Sequence, residues 1–262
     1  MPLYEFDPEK TACINPCDLI HQVPGMPRVA VTCFSHVTFE RMLSSVGGER
    51  ISVLGSANGK KPVYKTVYRG KALALFNASV GAPMCVGDLE DIFAMGAACA
   101  VVFGTCGVLA PEIEDCAVIL PDAAIRDEGT SYHYAPPARE IAVNTRYLLP
   151  FREMLDDLDC PYTVGKTWTT DAFYRETRDK VKRRRAEGCV CVEMECASVA
   201  AMAAFRGKDV LQFFYAADNL SSEQWDKRSL SNEDRLAQKD GVAYLALEIA
   251  AKIAAEQEEV ME

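Results

Sequence analysis

Four short stretches of this chain carry side chains able to do chemistry. The first is VEMECAS, residues 192–198, in which Glu193 and Glu195 alternate with Met194. The acids close an apolar run, residues 190–194, that leads into a small-residue helix reaching Phe205. A strand running straight into a helix places its last residues at the carboxyl edge of a sheet, where α/β folds keep their ligand crevice. Acids there are costly to bury, so each faces solvent, a partner or the hydroxyls of a bound ligand. The competing reading is capping, because a helix N-terminus favours a carboxylate. Asp218 ends a second apolar run, residues 210–216, and presents the same choice beside Asn219, Ser221 and Ser222. Two acids at adjacent strand ends favour a site, with Glu195 and Asp218 on neighbouring lips of one cleft.

The third stretch is TTDAFYRETRDK, residues 169–180. Phe173 and Tyr174 precede Glu176 and Arg178, which suits a flat heterocycle that needs stacking and then directed hydrogen bonds. A solvated helix start with an arginine in its first turns is the alternative. The fourth is VVFGTCGVL, residues 101–109, where Gly104, Thr105, Cys106 and Gly107 follow a buried strand. Backbone N–H groups freed at such a turn point toward a docking anion or hydroxyl, although a sharp reversal also needs glycine without any ligand.

The whole chain must position these groups. Its 262 residues are 49% apolar and 25% charged, enough for one domain spanning residues 1–262 with a full core. A net charge of -10 argues against nucleic acid and against an anionic membrane, and it favours a small-molecule substrate. Residues 1–10 carry acids and two prolines and do not read as a signal peptide, and no apolar run reaches the ~20 residues of a membrane span. A cytoplasmic protein is expected. The eleven cysteines lack zinc or redox spacing and read as buried free thiols. His21, His36 and His133 have no helical partner ligand, so no metal site is expected.

Patterning predicts strands at 29–34, 63–68, 71–76, 100–103, 116–120, 123–125, 162–166, 190–194 and 210–216. Helices are predicted at 37–46, 85–98, 141–158, 177–186, 196–205 and 236–257. Arg69-Gly70 suits a hairpin turn, and GTCG is expected to end its strand. Residues 126–134 are too polar for core and read as a working loop or a rigid Tyr-lined turn, while the basic run 180–185 reads as exposed helix surface. Together these give an α/β fold of three layers, a mixed, largely parallel sheet covered by helices on both faces.

GTCG, then AIRDEGTSYHY (124–134), then TTDAFYRETR, VEMEC and AADN, in this order, resemble the nucleoside phosphorylase-I superfamily, nearest to uridine phosphorylases. The likeness spans residues 29–219. It implies a distorted barrel flanked by helices, dimers that often build hexamers, and phosphate-driven cleavage of a nucleoside's N-glycosidic bond with no metal or organic cofactor. Under it Glu195 accepts from the ribose 2′ and 3′ hydroxyls, Met194 packs beneath the sugar and Glu193 lies near the ribose. Thr105 and the N–H groups of Gly104 to Gly107 face phosphate. Phe173 stacks on the base, Arg178 donates to a pyrimidine carbonyl, and Asp218 matches the acid with which purine-cleaving members protonate the leaving base.

The sequence departs from that pattern at two places. Glu176 stands nearest to the glutamine that reads uracil, and a carboxylate prefers a ring bearing an amino group. On the phosphate side, Val102 replaces an arginine, and Ser35-His36-Val37 replaces a Gly-Asp-Pro-x-Arg loop after the first strand. Arg28, Arg50 and Lys60 are the available substitutes, and His21 or His36 could be lent by a neighbouring subunit. Each lost arginine removes charge-assisted bonds of ~1.5–3 kcal/mol. The expectation is therefore a nucleoside phosphorylase of uridine-like specificity, with a phosphate-independent hydrolase or a non-catalytic nucleoside-binding protein as alternatives.

Overall fold

A computed structural model describes residues 2–259 of the chain. In chain order, α1 (Pro16–Leu19) precedes β1 (Val29–Cys33), α2 (His36–Val46) and the antiparallel strands β2 (Glu49–Ser56), β3 (Gly59–Tyr68) and β4 (Lys71–Asn77). Then come α3 (Ala82–Met95), β5 (Cys99–Val108), β6 (Val118–Asp127), β7 (Glu140–Ala142) and α4 (Leu148–Asp157). The chain continues through β8 (Tyr162–Thr170), α5 (Arg178–Ala186), β9 (Cys189–Glu193), α6 (Cys196–Arg206), β10 (Asp209–Asn219) and α7 (Leu236–Glu259).

β1 lies parallel to both β4 and β5, and β5 lies parallel to β10. From β10 the pairing passes to β6, then β8, then β9, and β9 returns to β5. Those five strands close a barrel, and β4, β3 and β2 continue from β1 as an open wing. One sheet face carries Val31, Leu73, Val101 and Phe213 against Leu247 and Ile253 of α7, with Phe103 and Phe213 stacked at 5.6 Å. The other buries Ala30, Ala74 and Val102 against Leu89 of α3 and Met202 of α6. Arg69 and Gly70 both hold positive φ, 48° and 76°, as the tight hairpin turn requires.

The structure changes several expected elements. GTCG does not end its strand. Gly104 to Gly107 continue β5, because β10 pairs along this stretch and β9 joins at Gly107, so ladder partners take up the backbone. The two strands expected at 116–120 and 123–125 are one strand, β6, whose pairing with β8 shifts between Pro121 and Ala124. The helix expected at 141–158 starts only at Leu148. Asn144 sits at φ 56° and spends its amide on the Pro121 and Gln212 carbonyls and the Gln212 N–H, which breaks the helical path. Strand β2, with largely exposed residues on the wing's edge, was not signalled by any apolar alternation.

Candidate active site

The carboxyl ends of β5, β9 and β10 converge on Gly107. In the ladder Gly107 stands opposite Val192 of β9 on one side and Asp218 of β10 on the other. β9 and β10 are therefore not neighbours as expected: β5 lies between them, and the two acid-bearing ends face each other across one glycine. A Cβ at Gly107 would lie 2.4 Å from Leu220 Cδ1 and 3.1 Å from Asp218 Oδ1, so only glycine permits the approach.

A cavity of about 670 Å³ opens over this junction. Its walls include Thr105, Cys106 and Gly107 from β5, Glu193 from β9 and Met194 just after it, and Asp218 from β10. Phe173, Tyr174 and Glu176 line it from the turn before α5, Arg178 from the first residue of α5, and Leu220, Trp225 and Leu230 from the segment after β10. A cavity of this size accommodates a small ligand of several rings. Phe173 is half exposed and its ring centroid lies 4.1 Å from that of Tyr174, which leaves an aromatic surface open to solvent. Gly104 and Glu195 do not line the cavity.

The two acids of VEMECAS have separate jobs. Glu193 Oε2 accepts from the N–H groups of Glu195 and Cys196, both at 2.7 Å, and so caps α6. Its Oε1 accepts from Thr169 at 2.6 Å and Thr167 at 3.3 Å, which leaves neither oxygen free for a ligand. The capping reading holds for Glu193, which also forms part of the cavity wall. Burial pushes its carboxyl up to about 7 against the pull of those four donors.

Glu195 differs. Its Oε1 accepts from the Gly81 N–H at 2.6 Å, and its Oε2 has no hydrogen bond among the described residues. The residue is 4% exposed, and burial, reinforced by the Glu193 charge, pushes its carboxyl up to about 8. A buried acid with one oxygen free is suited to gripping hydroxyls. On the far wall, burial raises Glu176 to about 7 with help from the Asp218 charge. Burial also raises Asp218, although the Trp225 indole opposes this by donating to Oδ2 at 2.7 Å.

Arg178 lines the cavity and also braces the loop beside it. Its guanidinium donates to the carbonyls of Leu220, Ser222 and Glu223 at 3.2, 2.6 and 2.5 Å, and so ties down the segment that carries Trp225. Residues 126–134 form the rigid alternative. Arg126 is buried and donates to Ser131 Oγ and to the Ala135 and Pro136 carbonyls, with the Tyr132 ring 4.1 Å away. The basic run is not all surface either, since Arg184 is 6% exposed and shares Asp127 with Lys180 beside the Trp168 ring.

Few cations lie along the strand that was expected to face phosphate. Val102 is fully buried, and a Cβ on Gly104 would lie 2.5 Å from the Phe34 ring, so an aromatic covers the strand where an anion was expected. Arg28 precedes β1 at the sheet edge opposite Phe34 and donates to Gln257. Arg50 and Lys60 are exposed on the wing. Lys61 turns inward instead, pairing with Asp88 and donating to Ser79 Oγ at 2.7 Å, while the Ser79 N–H donates to Asp88 at 2.7 Å. This clasp fixes the loop that holds Gly81.

Among the described residues no group of three or more His, Cys, Asp or Glu side chains could hold a metal ion, and no helix is long and apolar enough to cross a membrane.

The sequence matches the Phosphorylase superfamily over residues 19–255. The chain belongs to that superfamily. Among relatives, it is 26% identical to a guanosine phosphorylase of Halorubrum lacusprofundi over 60% of this chain and 65% of that one. It is 30% identical to a uridine phosphorylase of Thermococcus kodakarensis over 41% of this chain and 39% of that one. The matched region therefore covers less than two thirds of either relative. In fold it resembles a purine nucleoside phosphorylase of Toxoplasma gondii crystallised with immucillin-H, at TM-score 0.76 and 16% identity over 89% of this chain and 94% of that one. The barrel and flanking helices are thus those of this superfamily. The named relatives divide between purine and pyrimidine nucleosides.

Trp225, Phe34 and Gly81 are the residues that the sequence did not single out. Trp225 carried a signal, being an aromatic in a polar segment seven positions after Asp218. Phe34 and Gly81 carried none, because their importance depends on Gly104 and Glu195, far along the chain.

Proposed function

We propose that this superfamily member cleaves the N-glycosidic bond of a nucleoside, with phosphate as co-substrate and no metal or organic cofactor. The observation that carries the reading is the cavity, which sets an aromatic face, Phe173 and Tyr174, and two acids, Glu176 and Asp218, over Met194, with the half-free carboxylate of Glu195 next to it in the chain. The ribose sits on Met194 with its hydroxyls donating to Glu195, and the base enters between the aromatics and the acids. The bond from C1′ to the base nitrogen breaks with its electron pair going to the base, Asp218 supplies the proton, and a phosphate oxygen bonds to C1′ beside Thr105. Catalysis rests on positioning and on stabilising developing charge.

The uridine-like specificity implied by sequence resemblance required Arg178 to donate to a pyrimidine carbonyl. With three of its five N–H groups given to backbone carbonyls, the reading favours a base whose edge offers N–H donors to Glu176 and Asp218. A panel of uridine, thymidine, cytidine, inosine and adenosine, each with phosphate, tests it, and turnover of uridine alone would reject it. Assembly as a homodimer or homohexamer belongs to the same proposal, and sedimentation measures it.

Phe34 over Gly104 and the buried Val102 favour a second reading, in which water replaces phosphate. The discriminating measurement is the sugar product with and without phosphate. Ribose 1-phosphate formed only with phosphate supports phosphorolysis, and free ribose at an unchanged rate in phosphate-free buffer rejects it.

A further inference from the structure

The segment after β10 is tethered at both ends. Asn219 and Asp226 exchange backbone hydrogen bonds at 2.9 and 3.1 Å, and Ser221 N–H donates to Asn219 Oδ1 at 2.7 Å. Arg178 reaches across from the start of α5 and fills three carbonyls of the same loop. So fixed, the loop turns Trp225 back onto the strand end it left, and the indole N–H meets Asp218 Oδ2 at 2.7 Å. The other oxygen, Oδ1, has no hydrogen bond among the described residues and lies beside Gly107 on the cavity wall.

We infer that Arg178 and Trp225 are positioning residues, Arg178 fixing the loop that presents Trp225 and Trp225 holding Asp218 so that Oδ1 faces the leaving base. The inference rests on reading the cavity as a nucleoside site. It gives the arginine that the resemblance set against the base the task of shaping the acid. A hydrogen bond to one carboxylate oxygen both orients the group and favours its ionised form. The other titratable or charged groups facing Asp218 are Glu176 from the turn before α5, Cys106 from β5, and Asp226 and Arg228 from the loop itself.

The chain supplies its own probe. It has two tryptophans, and Trp168 is fully buried with its N–H on Asp127, whereas Trp225 is 55% exposed. In Trp168→Phe protein without ligand, Trp225 emission should change as Asp218 is titrated, and Asp218→Asn should abolish the change. Emission that does not vary with pH, or that varies equally with Asp218→Asn, overturns the inference, and this arm needs no nucleoside. In the full-length enzyme, Trp225→Phe keeps the ring and removes the donor. Its kcat plateau should fall roughly tenfold, the scale of one hydrogen bond to a charged group, with KM little changed. The limb that requires protonated Asp218 should move to higher pH, since the ionised form has lost a donor. Arg178→Lys should reproduce the loss in kcat. A Trp225→Phe enzyme with parental kcat and pH profile overturns the inference even if nucleosides are cleaved. A wild-type protein that cleaves no nucleoside while its Trp225 emission follows Asp218 rejects the nucleoside reading and leaves the clasp standing.

Discussion

Gly81 and Glu195, 114 positions apart in sequence, meet through a 2.6 Å hydrogen bond from the glycine N–H to Oε1. The bond aims the remaining oxygen, Oε2, and so fixes what that acid can grip. Glu195→Gln keeps an oxygen for Gly81 but loses the charge that hydroxyls of a sugar would meet. Its kcat/KM on the preferred nucleoside should fall about 10²–10³-fold, the range seen when one charge-stabilising group is removed from an active site. Above about pH 8, where the parent acid is ionised, its thermal stability should hold or rise, because a neutral amide ends the repulsion from Glu193. Steady-state kinetics and a melting curve on one preparation check both halves.

Lys61 acts one step further back. Its ammonium joins Asp88 and Ser79 and so braces the loop that presents Gly81. Asp88 is 7% exposed and Lys61 27%, so solvent screens the pair only in part. Lys61→Met leaves a nearly buried carboxylate without its cation and should cost about 1–3 kcal/mol, less than a fully buried pair would. Urea denaturation measures the loss. Nucleoside KM should rise with it, since Gly81 is no longer held against Glu195.

The parts legible in the sequence are those decided by local pattern. The hairpin around Arg69-Gly70, strand β1 and helices α6 and α7 follow from residue type and period. Phe173, Glu176 and Asp218 could be singled out because aromatic and acidic side chains at strand and helix ends are conspicuous. GTCG misled because glycine usually marks a turn, yet here two distant strands hold it extended. The contacts of Arg178 were hidden for a related reason: nothing near it in sequence announces that three carbonyls some 42 to 45 positions later will accept from it. Glu193 and Glu195 look alike in the chain, and only the threonines of β8 and the N-terminus of α6 separate a cap from a free acid.

Buried acids should make the ligand-free protein less stable as pH rises. Glu195 is raised from 4.5 to about 8, chiefly by burial, and Glu176 from 4.5 to about 7. A carboxyl whose folded value exceeds its unfolded one binds more protons when folded, so its contribution is complete below about pH 4.5 and is lost as pH climbs through the folded value. Melting temperature should therefore decline between about pH 5 and about pH 8.5, and Glu195→Gln should flatten the decline. A nucleoside whose hydroxyls donate to ionised Glu195 should release protons on binding near neutral pH, which calorimetry in buffers of different ionisation enthalpy would reveal. A melting temperature that rises steadily over this range would contradict the assignment.

Phe34 and Gly104 provide the sharpest test of the phosphate side. A methyl group on Gly104 would stand 2.5 Å from the Phe34 ring, and the ring edge is the only part able to yield. Gly104→Ala should therefore destabilise the protein by about 1–3 kcal/mol, the usual cost of overpacking. Phe34→Ala should also destabilise, by leaving a gap beside β5. Combined, the two changes should cost clearly less than the sum of the singles, because the alanine methyl occupies part of the space the ring vacates. Strict additivity in equilibrium unfolding would mean that ring and strand are not in contact. The same Phe34→Ala protein bears on the nucleophile. If the ring is what keeps phosphate from the strand, phosphate should raise the melting temperature of Phe34→Ala more than that of the parent, by mass action on the folded state. Equal shifts would place the phosphate site, if the protein has one, away from Gly104.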